Sequence, residues 1–86
     1  AQSTATGQSA QATNDNASAI GQNARASGLN STAVGQSAQA TAARTVALGQ
    51  GSVAANSSSS AIGVGSVASG FSSTAVGESS TASGSQ

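Results

Sequence analysis

The chain has 86 residues, a formal net charge of zero and four charged side chains, Asp15, Arg25, Arg44 and Glu78. That balance offers nothing to attract nucleic acid or an anionic membrane surface, so neither is expected as a partner. Cys and His are absent, which excludes a disulfide framework and the usual zinc sites, and no metal or cofactor is expected.

Apolar runs fall far short of the roughly 20 residues a membrane helix needs. The opening AQSTATGQSA lacks the basic and apolar parts of a signal peptide. An export signal and a membrane anchor are therefore expected outside this chain. Large apolar residues are few: Ile20, Leu29, Val34, Val46, Leu48, Val53, Ile62, Val64, Val67, Phe71 and Val76. Such scarcity suits disorder, but disordered chains also favour net charge or proline, and here charge balances and proline is absent. Composition alone leaves a flexible Ser/Gly linker and an unusual fold both open.

Taken in chain order, the sequence divides into six units of 14 residues. They read AQSTATGQSAQATN, DNASAIGQNARASG, LNSTAVGQSAQATA, ARTVALGQGSVAAN, SSSSAIGVGSVASG and FSSTAVGESSTASG, followed by Ser85 and Gln86. The seventh position is always glycine: Gly7, Gly21, Gly35, Gly49, Gly63 and Gly77. The fifth is always alanine (Ala5, Ala19, Ala33, Ala47, Ala61, Ala75), as is the twelfth (Ala12, Ala26, Ala40, Ala54, Ala68, Ala82). The sixth is aliphatic in five units, at Ile20, Val34, Leu48, Ile62 and Val76, with Thr6 the exception. A low-complexity linker has no reason to hold such a phase, so the chain reads as a folded repeat array.

Each unit predicts two short strands and two turns. Segments such as SAIG, TAVG and VALG are β-branched and stop at a glycine. Turn residues recur about every seven positions, first near the seventh to ninth and then near the fourteenth (Asn14, Gly28, Asn56, Gly70, Gly84). Two strands of about four residues and two turns of about three make one coil of a narrow parallel β-solenoid. Six coils stacked about 4.8 Å apart predict a rod on the order of 30 Å long. The invariant glycine is expected at a corner of positive φ.

Strand alternation gives two faces, and the simplest assignment puts the large residue inside. Ile20, Val34, Leu48, Ile62 and Val76 are then expected in the coil core. There they would pack against the small Ala12, Ala26, Ala40, Ala54, Ala68 and Ala82. This leaves Ala5, Ala19, Ala33, Ala47, Ala61 and Ala75 on an outer strip, where invariant alanine suits close approach of another copy. A homo-oligomer follows as an expectation, because small rods need staples or partners.

The recurring pattern S/T-x-A-I/V/L-G-x-x-A/S-x-A-S/T-G resembles the head repeats of trimeric autotransporter adhesins, the YadA-like family. It is carried by Ala17–Gly21, Ser31–Gly35, Thr45–Gly49, Ser60–Gly63 and Ser73–Gly77. The resemblance implies an all-β, left-handed parallel β-roll assembled as a homotrimer. It also implies display on the bacterial cell surface, anchored through a C-terminal outer-membrane domain that this chain does not contain. Residues 1–86 are then a single head segment, a fragment of a longer passenger region. The collagen-binding motif of some members, Asn-Ser-Val-Ala-Ile-Gly, is not matched: valine holds the fourth position only at Val46.

Two functions follow. One is attachment to host cells or extracellular matrix, by an extended surface with Arg25, Arg44 and Phe71 as the unusual outward side chains; no residue is assigned to a ligand. The other is a passive spacer that projects a different binding domain. Ice binding would need full outward ranks of Thr, and the fourth position supplies Thr only at Thr4, Thr32 and Thr74. The acceptor patterns at Asn16, Asn30 and Asn56 are those expected by chance in Ser/Asn-rich sequence. Enzymatic activity is not expected: His, Cys, Lys and Tyr are absent, and the two carboxylates lie 63 residues apart.

Overall fold

The computed structural model describes residues 3–84. Every coil contributes a three-residue strand and a two-residue strand. The longer strands are β1 Thr4–Thr6, β3 Ser18–Ile20, β5 Thr32–Val34, β7 Val46–Leu48, β9 Ser60–Ile62 and β11 Thr74–Val76. The shorter ones are β2 Gln11–Ala12, β4 Arg25–Ala26, β6 Gln39–Ala40, β8 Val53–Ala54, β10 Val67–Ala68 and β12 Thr81–Ala82. The longer strands form one six-stranded parallel sheet and the shorter ones a second, each in chain order. The register is in step with the repeat: Ala5 pairs with Ala19, Ala19 with Ala33, and so on to Ala75.

The corners explain the unit length. The coil turns twice, and both turns use the same device. At the first, the N–H three residues after the invariant glycine donates back to its carbonyl, as Ala24 N to Gly21 O at 3.2 Å. At the second, position three donates to position fourteen, as Ser31 N to Gly28 O at 3.2 Å. Each turn needs one left-handed residue two positions after it starts. Ser9, Asn23, Ser37, Gly51, Gly65 and Ser79 supply it at one corner, and Asn16, Asn30, Arg44, Ser58 and Ser72 at the other, with φ between 57° and 71°. Gly, Asn and Ser dominate because a small or self-bonding side chain tolerates that region best.

The seventh-position glycine has a stricter reason. Gly35 has φ 127°, and an added Cβ would lie 2.7 Å from the carbonyl of Gly49 in the coil above. Both backbone conformation and stacking therefore require a bare α-carbon there.

The two sheets lie very close together. The molecule measures 31 × 22 × 11 Å between Cα extremes, so its whole thickness is about the ~10 Å at which sheets normally stack. The gap holds methyl and hydroxymethyl groups and little else. Ala19, Ala33, Ala47 and Ala61 of the first sheet are fully buried there, as are Ala26, Ala40, Ala54 and Ala68 of the second. Positions three and ten complete the layer with Ala17, Ser31, Thr45, Ser59 and Ser73, and with Ala24, Ala38, Ser52 and Ser66. Ala10, Ala12 and Ala82 pack against this core from the end coils.

The structure thus reverses two of the assignments made from the sequence. The large sixth-position residues stand outside the coil: Ile20 is 42% exposed, Ile62 38% and Val76 65%, while Val34 and Leu48 are half-buried. The fifth-position alanines, expected on the outer strip, lie inside, save Ala5, which is exposed in the first coil. The cause is the thin gap. A branched side chain of four carbons would force the sheets apart, whereas alanine lets the turn close in three residues.

Buried hydroxyls in this layer are all bonded, and bonded locally. Ser31 Oγ donates to Gly28 O at 2.7 Å, Thr45 Oγ1 to Ala42 O at 2.7 Å, Ser52 Oγ to Gly49 O at 2.9 Å and Ser59 Oγ to Asn56 O at 2.6 Å. Ser66 and Ser73 repeat the pattern with Gly63 O and Gly70 O at 3.0 and 2.7 Å. Among the described residues no buried side-chain polar atom lacks a partner. This explains why Ala and Ser interchange at positions three and ten while positions five and twelve stay Ala. A turn carbonyl is within reach only of the former, and an unbonded buried hydroxyl costs about 1–3 kcal/mol.

Two adjacent residues test the reversed core. Ala47→Leu should overpack the gap and cost about 3 kcal/mol or more, enough to abolish the β signal in circular dichroism or lower the melting temperature steeply. Leu48→Ala, one residue on, should leave the melting temperature of the dilute chain nearly unchanged.

Candidate functional site

With the core filled by alanine, serine and Thr45, the larger apolar and charged side chains are placed on the outer surfaces of the rod. The broad face of the first sheet carries two columns. One runs Thr6, Ile20, Val34, Leu48, Ile62, Val76, each residue directly over the last in the strand register. Beside it run Thr4, Ser18, Thr32, Val46, Ser60 and Thr74. Successive rungs are about 4.8 Å apart, so five aliphatic side chains form a continuous stripe along the rod.

The face of the second sheet is more polar. Its central column runs Gln11, Arg25, Gln39, Val53, Val67 and Thr81. Arg25 is exposed there, Arg44 is exposed at a corner of positive φ, and Phe71 is exposed on the edge formed by the second turn. The structure does not gather these three outward residues: they belong to the second, fourth and sixth coils and to three different unit positions.

The edge formed by the first turn holds a feature that its sequence spacing could have revealed. Gln8, Gln22, Gln36 and Gln50 occupy the eighth position of four consecutive units. Each side-chain amide donates to the one below: Gln22 Nε2 to Gln8 Oε1 at 3.3 Å, Gln36 to Gln22 at 3.3 Å and Gln50 to Gln36 at 3.1 Å. The fifth unit breaks the ladder with Val64 and the sixth carries Glu78. Asn14 and Asn56 make a related inter-coil bond on the opposite edge, to the carbonyls of Ser27 and Ser69 at 3.5 and 3.4 Å.

These surfaces suit contact with other macromolecules. Among the described residues there is no pocket, and no cluster of three acidic, His or Cys side chains. What the rod offers is flat, repetitive area with one apolar stripe.

An array of this kind, with a 14-residue coil, a corner glycine in every unit and twin parallel sheets, defines a β-solenoid of the β-roll type. The description "YadA head domain repeat" matches residues 1–24, 26–52 and 68–86, in two copies and over well more than half of the chain. The chain belongs to the YadA head-repeat family, adhesin-type domains of the head region of the surface-exposed trimeric autotransporter adhesins of bacteria. No curated protein matches the chain.

The ladder gives a sharp stability test. Val64→Gln should extend it by one rung and raise the melting temperature slightly. Gln36→Ala should interrupt it and lower stability by about 1 kcal/mol or less, the net worth of solvent-exposed hydrogen bonds. Thermal denaturation of the three chains side by side reads the order.

Proposed function

We propose that the chain serves as a stretch of an adhesin head in which three copies pack side by side and present their remaining surfaces to host cells or extracellular matrix. The observation that carries this reading is the aliphatic stripe at Ile20, Val34, Leu48, Ile62 and Val76, left partly uncovered by its own chain. Turning three such stripes toward a common axis buries them together. Completing the burial of each side chain is worth on the order of 1 kcal/mol, because each is already partly covered by its neighbours. The trimer seam is therefore the sixth-position column and not the fifth-position alanines. Residues 1–86 form one segment of a longer passenger, held at the outer surface by a membrane domain elsewhere in the polypeptide.

With the stripe used for assembly, the second sheet and the two turn edges remain for a ligand. They carry mainly polar side chains, with Val53, Val67 and Phe71 among them, at a repeat of about 4.8 Å, a surface that gains strength by repetition over three chains. A spacer role is the second reading. It is favoured by the glutamine ladder, whose amides are engaged with one another on an otherwise exposed edge.

Two measurements separate these possibilities. Val34→Lys with Leu48→Lys should reduce the light-scattering mass from three chains to one while leaving the circular dichroism β-rich; an unchanged mass would place the seam elsewhere. Solid-phase capture of matrix proteins or host cells should be retained by the native trimer and reduced when Arg25, Gln39 and Val67 of the second sheet are replaced by Glu. Capture indifferent to that replacement, or absent altogether, favours the spacer.

A further inference from the structure

Three flat rods that turn like faces to one axis, the trimer reading on which this inference rests, are related by rotation alone. Rotation carries each edge onto the same edge of the next chain, so unlike edges meet at every junction. The first-turn edge of one chain, with its eighth-position column, then lies against the second-turn edge of its neighbour, with its first-position column.

The two columns alternate in height. Each first-position residue follows one eighth-position residue by seven positions and precedes the next by seven, half of the 14-residue coil. On an evenly rising coil it stands about 2.4 Å from either in height, half the strand spacing. Both columns point outward. Leu29 holds the first position in the third coil, with coils above and below it, and is 41% exposed. Gln22, Gln36, Gln50 and Val64 are exposed in the eighth-position column.

The columns change character at one level. The first-position column carries its bulkiest apolar residue, Phe71, where the eighth-position column gives up glutamine for Val64. Val64 has a coil on either side, stands between Gln50 and Glu78 in its column, and is still 49% exposed. Within one chain Val64 and Phe71 occupy opposite edges of a rod 22 Å wide, so neither covers the other. Across a junction they differ in height by half a rung.

The rest of the two edges agrees with this pairing. Val64 ends the glutamine ladder, so among the described residues Oε1 of Gln50 accepts no amide from above. Arg44, six positions earlier and on the other edge, brings guanidinium donors within half a rung of that oxygen. The carboxylates of the two edges, Asp15 and Glu78, are more than four rungs apart, so no like charges face one another.

We propose that Phe71 of one chain packs on Val64 of the next at each junction of the trimer, closing the ring and fixing the height at which the rods align. The sixth-position stripe is aliphatic in five successive coils and permits slippage by whole rungs. A single apolar pair at one level does not. In the fifth and sixth coils the turn edges are then covered, and the second sheet is the broad face left free for a ligand.

The test uses the absence of native cysteine. Val64→Cys and Phe71→Cys are placed in one chain, and the assembled protein is oxidised. A disulfide needs α-carbons within about 7 Å, so the width of the rod forbids a bond within one chain. The expected product is a covalent species of three chains, with no cross-link from either single variant and none when Val34→Lys and Leu48→Lys are added. Phe71→Trp gives a second readout, because the chain has no Trp or Tyr. Its emission should lie to the blue of that from the same substitution in the lysine-bearing chain. A light-scattering mass of three chains without the covalent product, and with water-like emission, overturns the pairing and leaves the trimer reading standing. Cross-links from either single variant overturn it too, since they require like edges to meet. A native mass of one chain overturns both.

Discussion

The width of the gap between the two sheets governs this molecule. The buried layer consists of alanine and serine side chains with one threonine, a single layer of methyl-sized groups. Once that is set, the composition follows. Alanine is obligatory at mid-strand, where adjacent backbone groups are committed to the ladder. Serine is tolerated after each turn, where a carbonyl three residues back accepts its proton. Aliphatic side chains of ordinary core size have no place inside and must sit outside, so a protein with a very small interior acquires an apolar exterior stripe. The exposed stripe is therefore a consequence of thinness: the volume that usually holds a hydrophobic core has been moved to the outer surface.

Such a core supplies little hydrophobic energy, and the backbone takes over much of the work. Parallel ladders bind each coil to the next along both sheets, and the corners add further inter-coil bonds, as from Gly35 N to Ile20 O and from Ser37 N to Gln22 O, both at 2.8 Å. The glutamine amides on one edge contribute side-chain bonds in the same axial direction. Cohesion along the rod and cohesion across it thus have different origins, hydrogen bonding in the first case and close contact of methyl groups in the second.

The period, the strand positions and the corner glycines were all legible in the sequence, because each depends on residues that recur in phase. The inside and outside of the first strand were not. Alternation separates residues into two sets without saying which faces inward, and the habit of putting the larger set inside fails when the interior is one methyl thick. The better signal was variability. Position five never departs from Ala, whereas position six accepts Thr6, Ile20, Val34 and Leu48, and tolerance of that range belongs to an outer surface. The left-handed corners at Asn16, Asn23 and Asn30 were also readable, since Asn favours that conformation. Arg44, in the same conformation, carries no such signal; stacking between its neighbours imposes it. The glutamine column could have been found by spacing alone, while no residue on the polar face is distinctive enough to name a ligand.

Because every buried hydroxyl is satisfied by a carbonyl of its own turn, no polar group in the interior relies on the identity of the coil above or below. A coil is in that sense interchangeable with its neighbours. At the level of the gene, an in-frame gain or loss of 14 codons changes the reach of the rod by one strand spacing, about 4.8 Å, and leaves the remaining coils intact. An increment that is not a multiple of 14 throws the corner glycines and the alanine layer out of register. The architecture makes length a trait that selection can adjust in small, uniform steps by unequal recombination between near-identical repeats.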